Sequence, residues 1–225
     1  MRLHSDVLFY LGSVPVYSLT VTSWAIIALL GLLFYFGTRN MQRFPRGLQN
    51  VMEAIVEGLF NFFAGIMGEE RARRYMPLLG TFFLFILVSN YSGLLPGSGE
   101  IPGFKAPTSD WNVTGALAII VFFSVQYFGI KVHGLHYFKH FVTPHWLFLP
   151  LNILEQFARP LSLTLRLFGN IFGEEMIIAF LLGMAPFLVP LPMMALGLLT
   201  GLIQAFVFTI LATSYITEAT EVEHH

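Results

Sequence analysis

Three ionisable side chains, Arg166, Glu174 and Glu175, stand in a stretch from Pro160 to Gly183 that otherwise reads as membrane-embedded helix. A guanidinium at the bilayer centre costs roughly 2.5–3.5 kcal/mol on insertion scales. Arginine does not deprotonate at any relevant pH, so it cannot shed that cost by becoming neutral. An intramembrane charge of this kind is a functional hypothesis by default. The two carboxylates are adjacent, and in a membrane they cannot both be ionised cheaply. At least one of them is therefore a candidate for holding and exchanging a proton.

Helical spacing arranges these groups. At about 100° per residue, Arg166, Asn170, Gly173 and Glu174 share one broad face, and Glu175 falls nearly opposite Arg166. Gly169 and Gly173 form a small-xxx-small pair that lets another backbone approach closely. Further on, Gly197, Gly201 and Ala205 repeat that spacing beside Gln204, and Gly197, Thr200, Gln204 and Tyr215 share a stripe. The expectation is two helical arms that pack on small residues and enclose a polar seam lined by Asn170, Gln204 and the glutamates. The simpler alternative is a buried salt bridge from Arg166 to Glu174 or Glu155 that merely fixes helix register. Two leucines would do that job without the insertion penalty. Four histidines between His133 and His145 have no carboxylate or cysteine beside them, and their spacing suits a solvated interfacial loop. No metal site and no cofactor are expected.

Composition sets the frame for these residues. The chain has 225 residues, of which 56% are hydrophobic and only 11% charged, against about 25% charged in soluble domains. It is expected to be an all-α polytopic membrane protein, a single membrane domain over 1–225. A net charge of -1 argues against nucleic-acid binding. The absence of cysteine excludes disulfides, thiolate metal sites and cysteine nucleophiles. The first fifteen residues carry no small-residue cleavage site, so no signal or transit peptide is read there. No glycine-lysine phosphate-binding loop appears either, so nucleotide chemistry is not expected of this chain.

Three uncharged stretches, at about 16–37, 76–96 and 111–130, are long enough to span roughly 30 Å of hydrocarbon. The connection between the first two holds Arg39, Arg43, Arg46, Arg71, Arg73 and Arg74, half of the twelve basic residues. The positive-inside rule then puts that side in the cytoplasm, the N-terminus outside and, after two further crossings, the C-terminus inside. At 45–67, Leu48, Val51, Met52, Ile55, Leu59, Phe62, Phe63 and Ile66 recur at helical spacing, with Gln49, Asn50, Glu53 and Glu57 mostly between them. This predicts an amphipathic helix along the cytoplasmic interface, with a helix packed on others of the same chain as the alternative. The last region, 143–184 and 189–220, would form helices of roughly 60 and 45 Å at 1.5 Å per residue. The first is about twice the bilayer core, so it must break, kink at Pro150 or Pro160, or lie strongly tilted. A long, tilted antiparallel hairpin turning at Met184 to Pro192 is the favoured picture.

The run Pro160-Leu-Ser-Leu-Thr-Leu-Arg-Leu-Phe-Gly-Asn-Ile-Phe-Gly-Glu-Glu175 closely resembles the signature of subunit a of F-type ATP synthases. Pro45 to Glu53, Asn90 to Pro96, Asp110-Trp-Asn-Val-Thr114 and Gln204-Ala-Phe-Val-Phe208 resemble further segments of that family, so the likeness covers nearly the whole chain. The resemblance implies a non-catalytic stator subunit of the membrane sector in a bacterial plasma (inner) membrane. Its partners would be a ring of c subunits, peripheral-stalk b subunits, the lipid bilayer, and protons or Na⁺. By position, Arg166 matches the family's essential arginine facing that ring, and Asn170, Glu175 and Gln204 match polar positions of the ion pathway. Many bacterial members carry glycine where this chain has Glu174 and histidine where it has Gly197. The resemblance therefore implies that Glu174 replaces that histidine across the hairpin. Some members have an aspartate at the position of Gly93, to which no role is assigned. A secondary transporter with a midplane charge is the rival reading, but such proteins usually show internal repeats, and none is convincing here. A purely structural membrane anchor would not need three charges in the middle of a hairpin.

Overall fold

The computed structural model describes residues 7–11, 14–39, 41–42, 46–95, 98, 105–134, 137, 147, 149–184 and 190–221. The chain opens with a feature the all-α expectation lacked, an antiparallel hairpin of β1 (Val7–Leu11) and β2 (Val14–Tyr17). Valine, phenylalanine and tyrosine at 7–17 favour pleated backbone, and the run is too short to be seen beside the longer apolar helices. Among the described residues six long helices follow: α1 (Ser18–Thr38), α2 (Leu48–Met67), α3 (Glu69–Ser92), α4 (Trp111–His133), α5 (Leu149–Met184) and α6 (Pro190–Thr220). A short 3₁₀ turn, Pro107–Ser109, precedes α4. All six helices are long and apolar enough to cross a membrane by length and composition. That includes α2, the segment whose pattern reads as amphipathic.

Helix ends follow local chemistry. Gly68 has φ +81°, a backbone state open to glycine, and this single residue separates α2 from α3. Helix α3 begins at Glu69, seven residues before the expected span, because its charged first turn is helical although it is not apolar. Pro77 then lies inside α3 without ending it. Asp110 starts α4 by accepting the Asn112 amide at 2.8 Å, an N-cap. Helix α5 runs through Pro160 for 36 residues, about 54 Å, so the break offered as one solution to its length does not occur there. The Thr143-Pro144 cap, most of the histidine-rich connection and the centre of the turn between the arms lie outside the described residues.

Helix α3 forms the centre of the packing. Leu79, Phe82, Phe83 and Ile86 of α3 are buried against α6, whose buried face carries Ala205, Phe208, Ala212 and Ile216. Rings interlock there, with Phe82 on Phe208 at 5.9 Å and Phe83 on Phe206 at 4.7 Å between centroids. Phe62 brings α2 onto the same Phe206 at 5.3 Å. Helix α5 buries Leu163, Thr164, Leu167 and Ile171, and it packs chiefly on α4 and α6. The opposite stripe of α5 stays open, including Leu165, Arg166, Gly169, Ile177 and Phe180.

Candidate ion-translocation site

Arg166 sits on the open stripe of α5, exposed, and no hydrogen bond or ion pair holds it among the described residues. The salt-bridge alternative therefore fails on geometry. Glu155 is taken by Arg159 at 2.7 Å, and Glu174 accepts a hydrogen bond from the Thr200 hydroxyl. This full positive charge on a lipid-compatible stripe has no counter-charge among the described residues.

One turn beyond Arg166 on the same face, the exposed Asn170 reaches across to α6. Its Nδ2 donates to Gln204 Oε1 at 2.9 Å, and Gln204 is 3% exposed. A further turn on, Glu174 meets Thr200. The two arms are thus joined by polar pairs one helical turn apart, Asn170 with Gln204 and Glu174 with Thr200.

The glycines divide by arm. A Cβ on Gly197 would lie 2.8 Å from Leu94 Cδ2 and 3.1 Å from Glu174 Oε2, so the Glu174 carboxylate fills the space a side chain at 197 would need. A Cβ on Gly201 would lie 3.2 Å from Asn90 Cβ and 3.4 Å from the Tyr91 ring. Gly197 and Gly201 therefore let α6 approach α3 as well as α5. Gly169 and Gly173 differ: a Cβ at either would meet nothing within 4 Å. The expectation that the arms pack on that pair is corrected here. Their small size serves no contact within the described chain, and Gly169 lies open beside Arg166.

Glu175 points the other way, as its position opposite Arg166 requires. Its Oε2 lies 3.6 Å from Lys105 Nζ, and its Oε1 faces Gly93, whose Cβ would stand 3.5 Å away. The spacing of charges along the chain did not single out Lys105, because the pair joins a loop to a helix seventy residues later. Asn90 and Thr108 were missed for the same reason. Thr108 donates to Asn90 Oδ1 at 2.8 Å, and Asn90 Nδ2 donates to Gly201 O at 3.0 Å. All three positions are buried. The Asn90–Pro96 segment was quoted only for its likeness to the family. A buried asparagine there was the available signal, since buried amides need partners.

A second polar group lies further down the arms. Arg159 donates to Glu155 at 2.7 Å and Glu218 at 2.8 Å, and its guanidinium stands 4.9 Å from the Tyr215 ring centroid. It ties α5 to α6 by charge and by a cation–π contact. Beside it, Gln126 of α4 donates to Gln156 at 3.0 Å.

Comparison with known proteins decides the family. A profile of the family described as ATP synthase A chain matches residues 20–217. The chain belongs to that family. It is a membrane-sector subunit of the F-type ATP synthase. ATP synthase subunit a of Moorella thermoacetica is 46% identical over 210 residues, covering 93% of each chain. The subunit of the same name from Trichlorobacter lovleyi is 46% identical over 208 residues, covering 91% of this chain and 87% of that one. ATP synthase subunit a 3 of Pelobacter propionicus is 48% identical over 206 residues, covering 90% and 87%. The resemblance carried by the arginine motif thus extends along the whole family match, from α1 to the last turn of α6.

Proposed function

We propose that this subunit is the ion-translocating, non-catalytic stator of its membrane sector, and that it offers two offset proton half-channels to a rotating ring of c subunits. The observation that carries this reading is Arg166, exposed on the open stripe of α5 and unpaired among the described residues, one turn from the polar seam that Asn170 and Glu174 form with α6. Protons enter from outside past Glu175, Glu174, Asn170 and Gln204 and neutralise a carboxylate on the ring. A neutral site turns through lipid, whereas a charged one meets a large desolvation penalty. After nearly a full turn the ring site reaches the inner half-channel and loses its proton. Arg166 attracts the ionised ring carboxylate, favours release of its proton and separates the half-channels. It cannot itself relay a proton, because it stays charged. Each charge moved across the membrane is worth about 2.3 kcal/mol per 100 mV.

Glu174 takes the place that many relatives give to a histidine at the position of Gly197. The carboxylate already occupying the volume over Gly197 supports that exchange. The single membrane domain is oriented in the plasma membrane of a bacterium with its N-terminus outside and its C-terminus in the cytoplasm, as the six arginines around α2 indicate. In that arrangement α2 lies at the cytoplasmic interface, α5 and α6 form the tilted hairpin facing the c-ring, and peripheral-stalk b subunits bind elsewhere on the chain.

Because the chain has no cysteine, a single introduced thiol gives a clean test. In the assembled complex, Gly169→Cys is expected to form a disulfide with a cysteine placed on the outer helix of the ring. Ile171→Cys, buried at 3% exposure on the opposite side of α5, is expected not to. Equal cross-linking from both positions, or none from Gly169→Cys, overturns the proposed ring-facing stripe.

A further inference from the structure

Glu175 is held asymmetrically. One oxygen, Oε2, faces the ammonium of Lys105 at 3.6 Å. The other, Oε1, is buried and has no hydrogen-bond partner among the described residues. Ser109 and the main chain of Ala106 lie alongside. Ser109, however, donates its hydroxyl to Ala106 O at 2.9 Å, and neither group satisfies Oε1. On the remaining side is Gly93, which presents no side chain. A Cβ there would come within 2.9 Å of Ala106 Cβ, so the 3₁₀ turn sits close against the end of α3. The glutamate is thus enclosed by the end of α3, the segment 105–109 and its own helix.

An unpaired buried carboxylate oxygen is expensive to leave unmade. The exceptions in folded proteins call for a specific explanation, such as a proton-exchange role or a water. Here the two oxygens meet different surroundings. Lys105 supplies a positive charge to one of them. The second oxygen is left with lone pairs and no donor, which is the condition for taking up a proton or a hydrogen-bonded water. Lys105 is about one-third exposed at its side chain while Glu175 is about one-fifth exposed, so the lysine is the more open member of the pair. It is the one charged group that bears on Glu175 among the described residues; the neighbouring Glu174 is turned to Thr200.

We infer that Lys105 is a positioning residue of the outer entrance, anchoring Glu175 by Oε2 so that Oε1 is the oxygen that exchanges the proton. The inference rests on the reading of Glu175 as part of the outer half-channel. It adds a residue and a division of labour between two oxygens. A proton adds at the free oxygen without disturbing the pair that Oε2 makes with Lys105. The proton arrives from outer water, forms an O–H bond at Oε1, and leaves toward the seam, so the carboxylate returns to its ionised state beside Lys105.

The test uses the whole ATP synthase in vesicles with the nucleotide-binding sector outward, so that the lumen is the outer side. ATP synthesis is driven at a fixed potential while lumen pH is varied. Removing the positive charge in Lys105→Met lets Glu175 hold its proton to higher pH, since a nearby opposite charge favours the ionised form. The lumen pH for half-maximal rate is expected to rise by about one unit. Lys105→Arg keeps the charge and is expected to restore the wild-type profile. In a Glu175→Gln background, Lys105→Met is expected to move the profile no further. A Lys105→Met complex that assembles fully and keeps the wild-type profile overturns the inference. So does a Lys105→Arg profile displaced as far as that of Lys105→Met, because packing rather than charge would then be responsible. If Lys105→Met fails to assemble, Lys105→Gln is read in its place by the same two criteria. Arg166→Ala in the same vesicles separates the two levels: normal synthesis there removes the half-channel reading itself, whereas a dead Arg166→Ala with an unmoved Lys105→Met profile removes only the role of Lys105.

Discussion

Arg166 and Glu174 reach their places by opposite routes. The arginine was legible as a functional charge because no pKa adjustment can neutralise it and nothing near it in sequence pairs with it. Among the described residues it stays unpaired. Glu174 was legible as an intramembrane carboxylate, but its partner, Thr200, became visible only when α6 was laid against α5. Lys105, Asn90 and Thr108 were not legible, because their partners come from elements distant in sequence. The crowding around Gly197 gives a directional prediction. Gly197→His alone places a ring where Glu174 and Leu94 already stand. It is expected to reduce ATP-driven proton pumping at least tenfold, which corresponds to about 1.4 kcal/mol. Glu174→Gly alone empties the seam of its carboxylate and is expected to be similarly impaired. The double variant Glu174→Gly/Gly197→His restores both space and a titrating group and should recover a substantial part of pumping. A double variant no better than either single one would count against the exchange.

Among elements, length and apolar pattern were the readable quantities. Helices run over Leu149–Met184, Pro190–Thr220, Trp111–His133 and Leu48–Met67, stretches whose apolar pattern is readable in the sequence. Boundaries set by charged turns were harder: α3 extends back to Glu69 because its first turn is helical without being apolar. The β1–β2 hairpin was missed because two short apolar runs without alternation, beside long apolar helices, carry little strand signal. The glycines show how spacing alone falls short. Two small-xxx-small pairs look alike in sequence, yet only Gly197 and Gly201 are pressed by neighbours within the chain. Gly201→Leu is therefore expected to push α6 off Asn90 and Tyr91 and to lower the yield of assembled complex severalfold. Gly169→Leu meets open space and is expected to leave the fold of the subunit intact while reducing proton pumping, if the proposed ring-facing stripe is right. Yield on copurification, read beside pumping per assembled complex, distinguishes the two; equal loss of assembly from both would contradict the assignment.

For the whole molecule, the proposed site is shared between this chain and a partner. The core is organised around α3, the polar seam lies between α5 and α6, and Arg166 stands exposed on the open stripe of α5, unpaired among the described residues. A protein built to complete its own ion site would have set a carboxylate against Arg166, and both nearby glutamates are engaged elsewhere. Sequence alone does not reveal that openness, because a shared helical face does not say what covers it. The central claim is that Arg166 separates two half-channels by meeting a carboxylate on another chain. The most direct measurement is proton flux through Arg166→Ala complexes in sealed vesicles, with and without ATP. Loss of ATP-driven pumping together with a raised passive proton leak is the predicted result; ATP-driven pumping at the wild-type rate would contradict the account.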